Sequence, residues 1–324
     1  MKLAALTVVV TLATALLPTP ASSQSAGYPN KPIRVIVPFT AGSTTDIIAR
    51  AITDKLGASL GQTVVVDNRA GAGGMMGASV VAQAAPDGYT ILIHSSSHTV
   101  NPSTYAKLPF DTLRDFSGVT PLATIPNVLV ISPSKNVQSL KDLVANAKAK
   151  PGTMNYASAG SGSATHLNAE KFKHAANIEA THIPFKGSPE AMNEVLSGRV
   201  DYYFSPVAPV LSQIKAGQLV ALAVGSPKRS SALPAVPTTS EAGVPGSEFN
   251  FWIGMMVHSK TPRDIVNRLN AEVLKALDSP EVKERFHTLG AEPFVMSPEQ
   301  FDAYLKNEIE VNAKLVKAAG ITPQ

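Results

Sequence analysis

Four loops of this 324-residue chain concentrate glycine with hydroxyl side chains: "TAGSTTD" (40–46), "AGAGGMMG" (70–77), "SSSHTVNP" (95–102) and "SAGSGSATH" (158–166). Small residues leave backbone N–H groups uncovered. The first and fourth loops run directly into helix starts, where the positive end of the helix dipole favours negative charge. The chemistry this suits is capture of a small anion. Ordinary helix caps and turns use the same residue types, so the expectation rests on two such loops, one in each half of the chain, rather than on either alone.

Other chemistries fit the spacing less well. Gly71, Gly73 and Gly74 resemble a dinucleotide fingerprint, but Met76 stands where its last glycine is needed, and no Gly-Lys-Ser/Thr follows any of the loops. A serine hydrolase could draw on Ser161 or Ser163 with His166, yet neither serine stands at the centre of a G-x-S-x-G pentapeptide. His94 and His98 flank three serines at a strand end without a third metal ligand nearby, which points to a hydrogen-bond donor for a ligand rather than a metal site. Asp46 opens the first helix and favours its dipole. Lys186 in "PFKGSP" is the basic residue placed to meet an acidic ligand in the second half. No cofactor or metal is expected.

The chain's address narrows the classes further. Residues 1–26, "MKLAALTVVVTLATALLPTPASSQSA", carry Lys2, an apolar run from Leu3 to Leu17, two prolines and then small residues. This is the pattern of a cleaved secretory signal, and the run is shorter than the ~20 residues a spanning helix needs. There is no cysteine, so disulfides, thiolate metal sites and cysteine nucleophiles are excluded. Removal of the signal leaves 27 basic side chains against 24 acidic ones, spread along the chain. With no basic run and no interleaved aromatics, nucleic-acid binding is set aside.

The elements that must position these loops follow from periodicity. "IRVIVPF" reads as a buried strand, "TDIIARAITDKLGASLG" as a helix capped at Ser43 or Thr45, and "TVVVDN", "GGMMGASVVAQAA" and "YTILIHS" as strand, helix and strand. The alternation restarts with "NVLVIS", "SLKDLVANAKAKP", "MNYASAG", "ATHLNAEKFKHAAN", "IEATHIPF", "PEAMNEVLSGR" and "VDYYFS". Alternating strands and helices imply parallel sheets with right-handed crossovers. Two such halves in series imply two lobes. The expected division is 27–125 for the first part of lobe 1, 126–248 for lobe 2, and 249–324 for the remainder of lobe 1. The Pro-rich "PKRSSALPAVPTTSEAGVPG" carries the chain back. Loops after parallel strands converge on one crevice, here a cleft between lobes.

The order of "YPNKPIRVIVPF", "TDIIAR", "DNRAGAGG", "PDGYT", "NYASAGSGSATHL", "HIPFKG", "LPAVPTTSEAGVPG" and Trp252 resembles the extracytoplasmic solute receptors of the tripartite tricarboxylate transporter system, the Bordetella uptake gene family, from Tyr28 to the C-terminus. The resemblance implies an α/β, two-lobed periplasmic-binding-protein fold of the Venus flytrap, type II-like kind with a double crossover. It implies a periplasmic receptor, not an enzyme, that closes on a small organic carboxylate and presents it to integral-membrane components of the transporter. The implied ligand loops are Phe39, Thr40, Ala41, Gly42, Ser43, Thr44 and Thr45 in one lobe. In the other they are Ser158, Ser161, Gly162, Ser163 and Thr165, with Lys186, Gly187 and Asp201 at the far wall. The family's usual Pro-Pro-Gly-Gly is Thr40, Ala41, Gly42 and Ser43 here, so two rigid prolines give way to two hydroxyls. A dicarboxylate is expected, its second group meeting Ser95 to His98 or Lys186. Phe39 and Phe204 as cleft walls would admit an aromatic acid such as a phthalate isomer or nicotinate. The alternatives are an exported serine-dependent hydrolase and a ligand-responsive partner of a sensor protein.

Overall fold

Strand β1 (Ile33–Val37) is buried along its length except at Arg34, as a strand flanked on both sides must be. The computed structural model describes residues 27–318 and 320–323, so the signal-peptide reading lies outside the described residues. After β1 come α1 (Thr44–Leu60), β2 (Val64–Asn68), α2 (Met75–Ala82), β3 (Thr90–Ser95), α3 (Ser97–Thr104) and β4 (Phe116–Thr124). The second run is β5 (Asn127–Ile131), α4 (Leu140–Ala149), β6 (Met154–Ser158), α5 (Ala164–Ala176), β7 (Ala180–Pro184), α6 (Ser188–Leu196), β8 (Tyr202–Pro206), α7 (Val207–Lys215) and β9 (Val220–Val224). The chain ends with β10 (Trp252–His258), α8 (Arg263–Asp278), α9 (Pro280–Thr288), β11 (Glu292–Pro293) and α10 (Pro298–Ala318).

These strands form two sheets, in the orders β11-β4-β10-β3-β1-β2 and β7-β6-β8-β5-β9. In the first, β2 and β3 flank β1 in parallel, with Val37 opposite Asn68 and Ile36 opposite Leu92, so their carboxyl ends share one edge. In the second, β6 runs parallel to β7 and β8, with Ser158 opposite Pro184. The loops that follow β1, β3, β6 and β7 therefore leave the sheets on matching edges. The chain passes between sheets twice, at Ile125–Pro126 and at 249–251. The two crossings are joined by a hydrogen bond from the Ile125 N–H to the Phe251 carbonyl (3.0 Å). Each sheet is covered on both faces by helices, with buried clusters around Ile36, Leu92, Trp252 and Phe301 in one lobe and around Tyr156, Phe172 and Phe204 in the other.

One element departs from the sequence reading. The stretch 95–102, expected as a loop after β3, instead enters helix α3 at Ser97, with Pro102 inside the helix. At eight residues the helix has few backbone bonds for a proline to break, and packing against α10 supports it through the hydrogen bond from Asn312 Nδ2 to Thr99 Oγ1 (3.1 Å).

Candidate functional site

The same turn is built twice, once in each lobe. In Thr40–Ser43 the Ser43 N–H donates to the Thr40 carbonyl (3.1 Å), and Gly42 takes a φ of 78°. In Gly160–Ser163 the Ser163 N–H donates to the Gly160 carbonyl (3.1 Å), and Gly162 takes a φ of 71°. Positive φ at the third residue of a hydrogen-bonded turn is the type II geometry, which glycine adopts without penalty. Each serine then caps a helix: Ser43 Oγ accepts from the Asp46 N–H, and Ser163 Oγ from the His166 N–H. A helix leaves its first N–H groups without intrahelical partners. Capping accounts for one per helix, and the N–H groups of Thr44 and Thr45 on one side and Thr165 on the other are among those without an intrahelical partner.

Between the two turns lies a narrow cavity of about 20 Å³ lined by Phe39, Ser43, Thr44, Thr45, Ser95, Ser97, Ala159, Ser163, Thr165, Ser188, Pro206 and Phe251. Eight of these carry hydroxyls, four are apolar, and none is charged. The starts of α1, α3, α5 and α6 all meet here, so the site offers N–H and O–H donors and aligned dipoles without a side-chain cation. Thr44 Oγ1 is buried with no protein partner, an arrangement proteins seldom leave unfilled. The cavity has room for about one water, so a ligand can enter only when the lobes part. A larger open groove of about 460 Å³ on the outer face of lobe 2, lined by Gly152, Glu170, Lys173 and Asn177 among others, has no such convergence.

The turns are braced from behind. Buried Asp46 holds the first through the Gly42 N–H (2.9 Å), and itself receives Arg50 Nε (3.0 Å) and Asn68 Nδ2 (2.9 Å). Burial opposes ionisation of Asp46, but the hydrogen bonds from Arg50, Gly42 and Asn68 outweigh it and lower its pKa. A depressed carboxyl stabilises the fold above its unfolded pKa of ~3.9, and that contribution is lost as pH falls through the folded value. Asp46→Asn should therefore cost about 1–3 kcal/mol at pH 7, with the difference from wild type shrinking below about pH 4. Urea unfolding at both pH values checks this. The second turn rests on two imidazoles: the Gly162 N–H donates to His166 Nδ1 (3.3 Å), and Ser158 Oγ is hydrogen-bonded to His182 Nε2 (2.6 Å). The two rings stack at 3.9 Å, and burial pushes His166 down to about 4 and His182 to about 3, so both are neutral at pH 7.

Of the residues the sequence singled out, Phe39, Ser43, Thr44, Thr45, Ser95, Ser97, Ser163 and Thr165 line the cavity, with Ala159 of the same fourth loop. Thr40, Ala41, Gly42, Ser161 and Gly162 form the turns outside it, with Thr40 against Gly187 across the lobe seam. Ser158 and Asp46 face backwards as braces. His98 does not reach the cavity: it is fully buried in lobe 1 against Phe110 and Phe116, where burial pushes it down to about 3. Lys186 is exposed on the outer rim. Asp201 lies at the opposite end of β8 from the site, paired with Lys135 Nζ (2.6 Å) and the Asn155 N–H (2.8 Å). Phe204 points into the lobe 2 core against Phe172, because strand alternation gives the α6 side to Tyr203, whose hydroxyl meets Ser188 Oγ (3.1 Å). The aromatic wall opposite Phe39 is Phe251, at the return crossing. Ser188, Pro206 and Phe251 were not anticipated. Ser188 alone carried a signal, as a small hydroxyl at the helix start in "KGSPE".

The profile of a family described as tripartite tricarboxylate transporter family receptor matches residues 48–321. The chain is 39% identical over 311 residues to the protein BugT of Bordetella pertussis, covering 95% of each. Among solved structures it is similar to R. palustris Rpa4515 with adipate, at 35% identity and a TM-score of 0.88 over 92% of this chain and 100% of that one. It is also similar to MatC from Rhodopseudomonas palustris with bound malate, at 31% identity and a TM-score of 0.84 over 89% and 100%. These likenesses accord with the two-lobed fold of periplasmic binding proteins that the two sheets display.

Proposed function

Because the chain belongs to the tripartite tricarboxylate transporter receptor family, whose members are binding receptors rather than enzymes, we propose that it captures a small dicarboxylate between its lobes in the periplasm and delivers it to the membrane components of such a transporter. The observation that carries this reading is the repeated turn: two serine-capped helix N-termini, one per lobe, open onto a single uncharged, hydroxyl-lined cavity. One carboxylate is received by the N–H groups of Thr44, Thr45 and Thr165. The second meets the hydroxyl groups of Ser97 and Ser188. Phe39 and Phe251 flank the hydrocarbon between them. Neighbours solved with adipate and malate support a chain length in that range. Charge is met by dipoles and donors rather than by a cation, so selection among acids falls to length and shape.

The test is a thermal-unfolding screen of the chain from residue 27, unfolded and refolded to strip retained solute. The panel contains malate, succinate, adipate, citrate, acidic amino acids, nicotinate, benzoate and the phthalate isomers. A dicarboxylate at 100 times its Kd should stabilise the protein by ~2.7 kcal/mol. No stabilisation by any acid would overturn the carboxylate reading, and a preference for monocarboxylates would overturn the assignment of the second subsite.

A further inference from the structure

Helix α3 reaches across the lobe seam at regular intervals. Ser97, Asn101 and Tyr105 are spaced by four residues and so lie along one face of the helix and its exit. Each meets the second turn in the opposite lobe. Ser97 Oγ accepts from the Ala164 N–H (2.9 Å), Asn101 Nδ2 donates to the Gly162 carbonyl (3.0 Å), and the Tyr105 hydroxyl donates to the Ser161 carbonyl (2.7 Å). Asn101 also reaches the Gly73 carbonyl (3.4 Å), so it joins loops of both lobes. The approach is close: a Cβ on Gly162 would sit 2.6 Å from both Thr104 Oγ1 and the Tyr105 ring.

Two features separate this arrangement from ordinary lining of a binding site. Asn101 and Tyr105 do not border the cavity, so a ligand does not need them for contact. The Ala164 N–H, the leading donor of α5, is given to a protein hydroxyl that Ser95 Oγ orients by donating to it (2.9 Å). Burial pushes the Tyr105 hydroxyl up to about 12, so it remains a donor throughout the physiological range.

We propose that Ser97, Asn101 and Tyr105 form a latch that holds the lobes together in the absence of ligand and thereby sets the affinity of the site. The inference rests on the receptor reading for its role, since apparent affinity scales with the fraction of protein already in the binding-competent form. It adds that α3 supplies this fraction from the protein's own hydrogen bonds.

The chain has no cysteine, so Lys107→Cys and Asn193→Cys, both exposed and one in each lobe, give a unique pair of spin labels. In ligand-free protein the wild-type background should show a substantial short-distance population. Asn101→Leu and Tyr105→Phe should each shift it towards longer distances, and saturating adipate should restore it. The Kd for adipate should rise about tenfold when one of these hydrogen bonds is removed. Distance distributions identical in wild type and both variants would overturn the latch. Should Asn101→Leu fail to fold, Tyr105→Phe, which removes only a hydroxyl, decides the question alone. If adipate leaves the wild type unaffected while the variants open the ligand-free protein, the latch stands and the choice of ligand falls.

Discussion

Gly73→Ala will reduce ligand affinity by about 100-fold, equivalent to about 2.7 kcal/mol, while leaving both lobes folded. Gly73 sits where the loop before α2 meets the second turn, and a Cβ there would lie 2.4 Å from the Ser161 carbonyl oxygen, 3.0 Å from the Gly162 carbonyl carbon and 3.1 Å from the Ser163 nitrogen. All three atoms are backbone of the other lobe, so no rotamer change relieves the overlap. The turn cannot yield locally either, because its Ser161 and Gly162 carbonyls are held by Tyr105 and Asn101 and its Ser163 caps α5. The lobes must separate instead, and every interaction that spans the cavity is weakened together.

Gly73 also has a φ of 58°, at which alanine costs about 1–2 kcal/mol whatever its surroundings. Gly217→Ala supplies the comparison, since Gly217 has a φ of 69° and nothing within 4 Å of its Cβ position. Calorimetric titration with the best acid of the panel should find binding intact in Gly217→Ala and nearly lost in Gly73→Ala, with similar modest losses of thermal stability. Unchanged affinity in Gly73→Ala would mean that the ligand is bound without this closure.

What the sequence disclosed about the site was its chemistry at loop level, and what it withheld was direction. Ser43 and Ser163 could be read as caps because an N-cap is a local matter of a hydroxyl preceding a helical period. The alternation of strands with helices similarly gave the parallel core of each sheet, since apolar runs of strand length with intervening helical spacing leave few other arrangements. Facing, by contrast, depends on pairing register. Phe204 and Tyr203 are both aromatic and both fully buried, and a one-residue difference in parity decides which lies on the α6 side. Asp201 was placed at the site by the family resemblance, yet it stands at the amino end of β8 while the ligand loops leave from carboxyl ends. His98 was read as loop and became helix, which turned its ring to Phe110 and Phe116. Phe251 carried no local signal, because its place in the wall follows from where the chain recrosses between the sheets.

Ser163→Asp separates an anion site from a merely polar one, because it changes the charge of the cavity without removing the cap. Aspartate is as good an N-cap as serine, and its charge favours the positive end of α5, which offsets part of the cost of burying it without a counter-ion. Yet Ser163 is 1% exposed and borders a cavity without a single cationic side chain. A bound carboxylate would then face a second one at short range, sharing the same few donors, with no counter-ion and little water to screen them. Binding of any dicarboxylate should weaken by more than about 100-fold. Ser163→Ala should behave in the opposite way, losing about 1 kcal/mol of stability with the cap while retaining most of the affinity, because backbone N–H groups carry the larger share of the anion. The pair of variants thus assigns stability to the hydroxyl and affinity to the sign of the field. Retained binding in Ser163→Asp would show that the group received at the start of α5 is neutral or cationic, and would remove the carboxylate from this cavity whatever the acid panel had found.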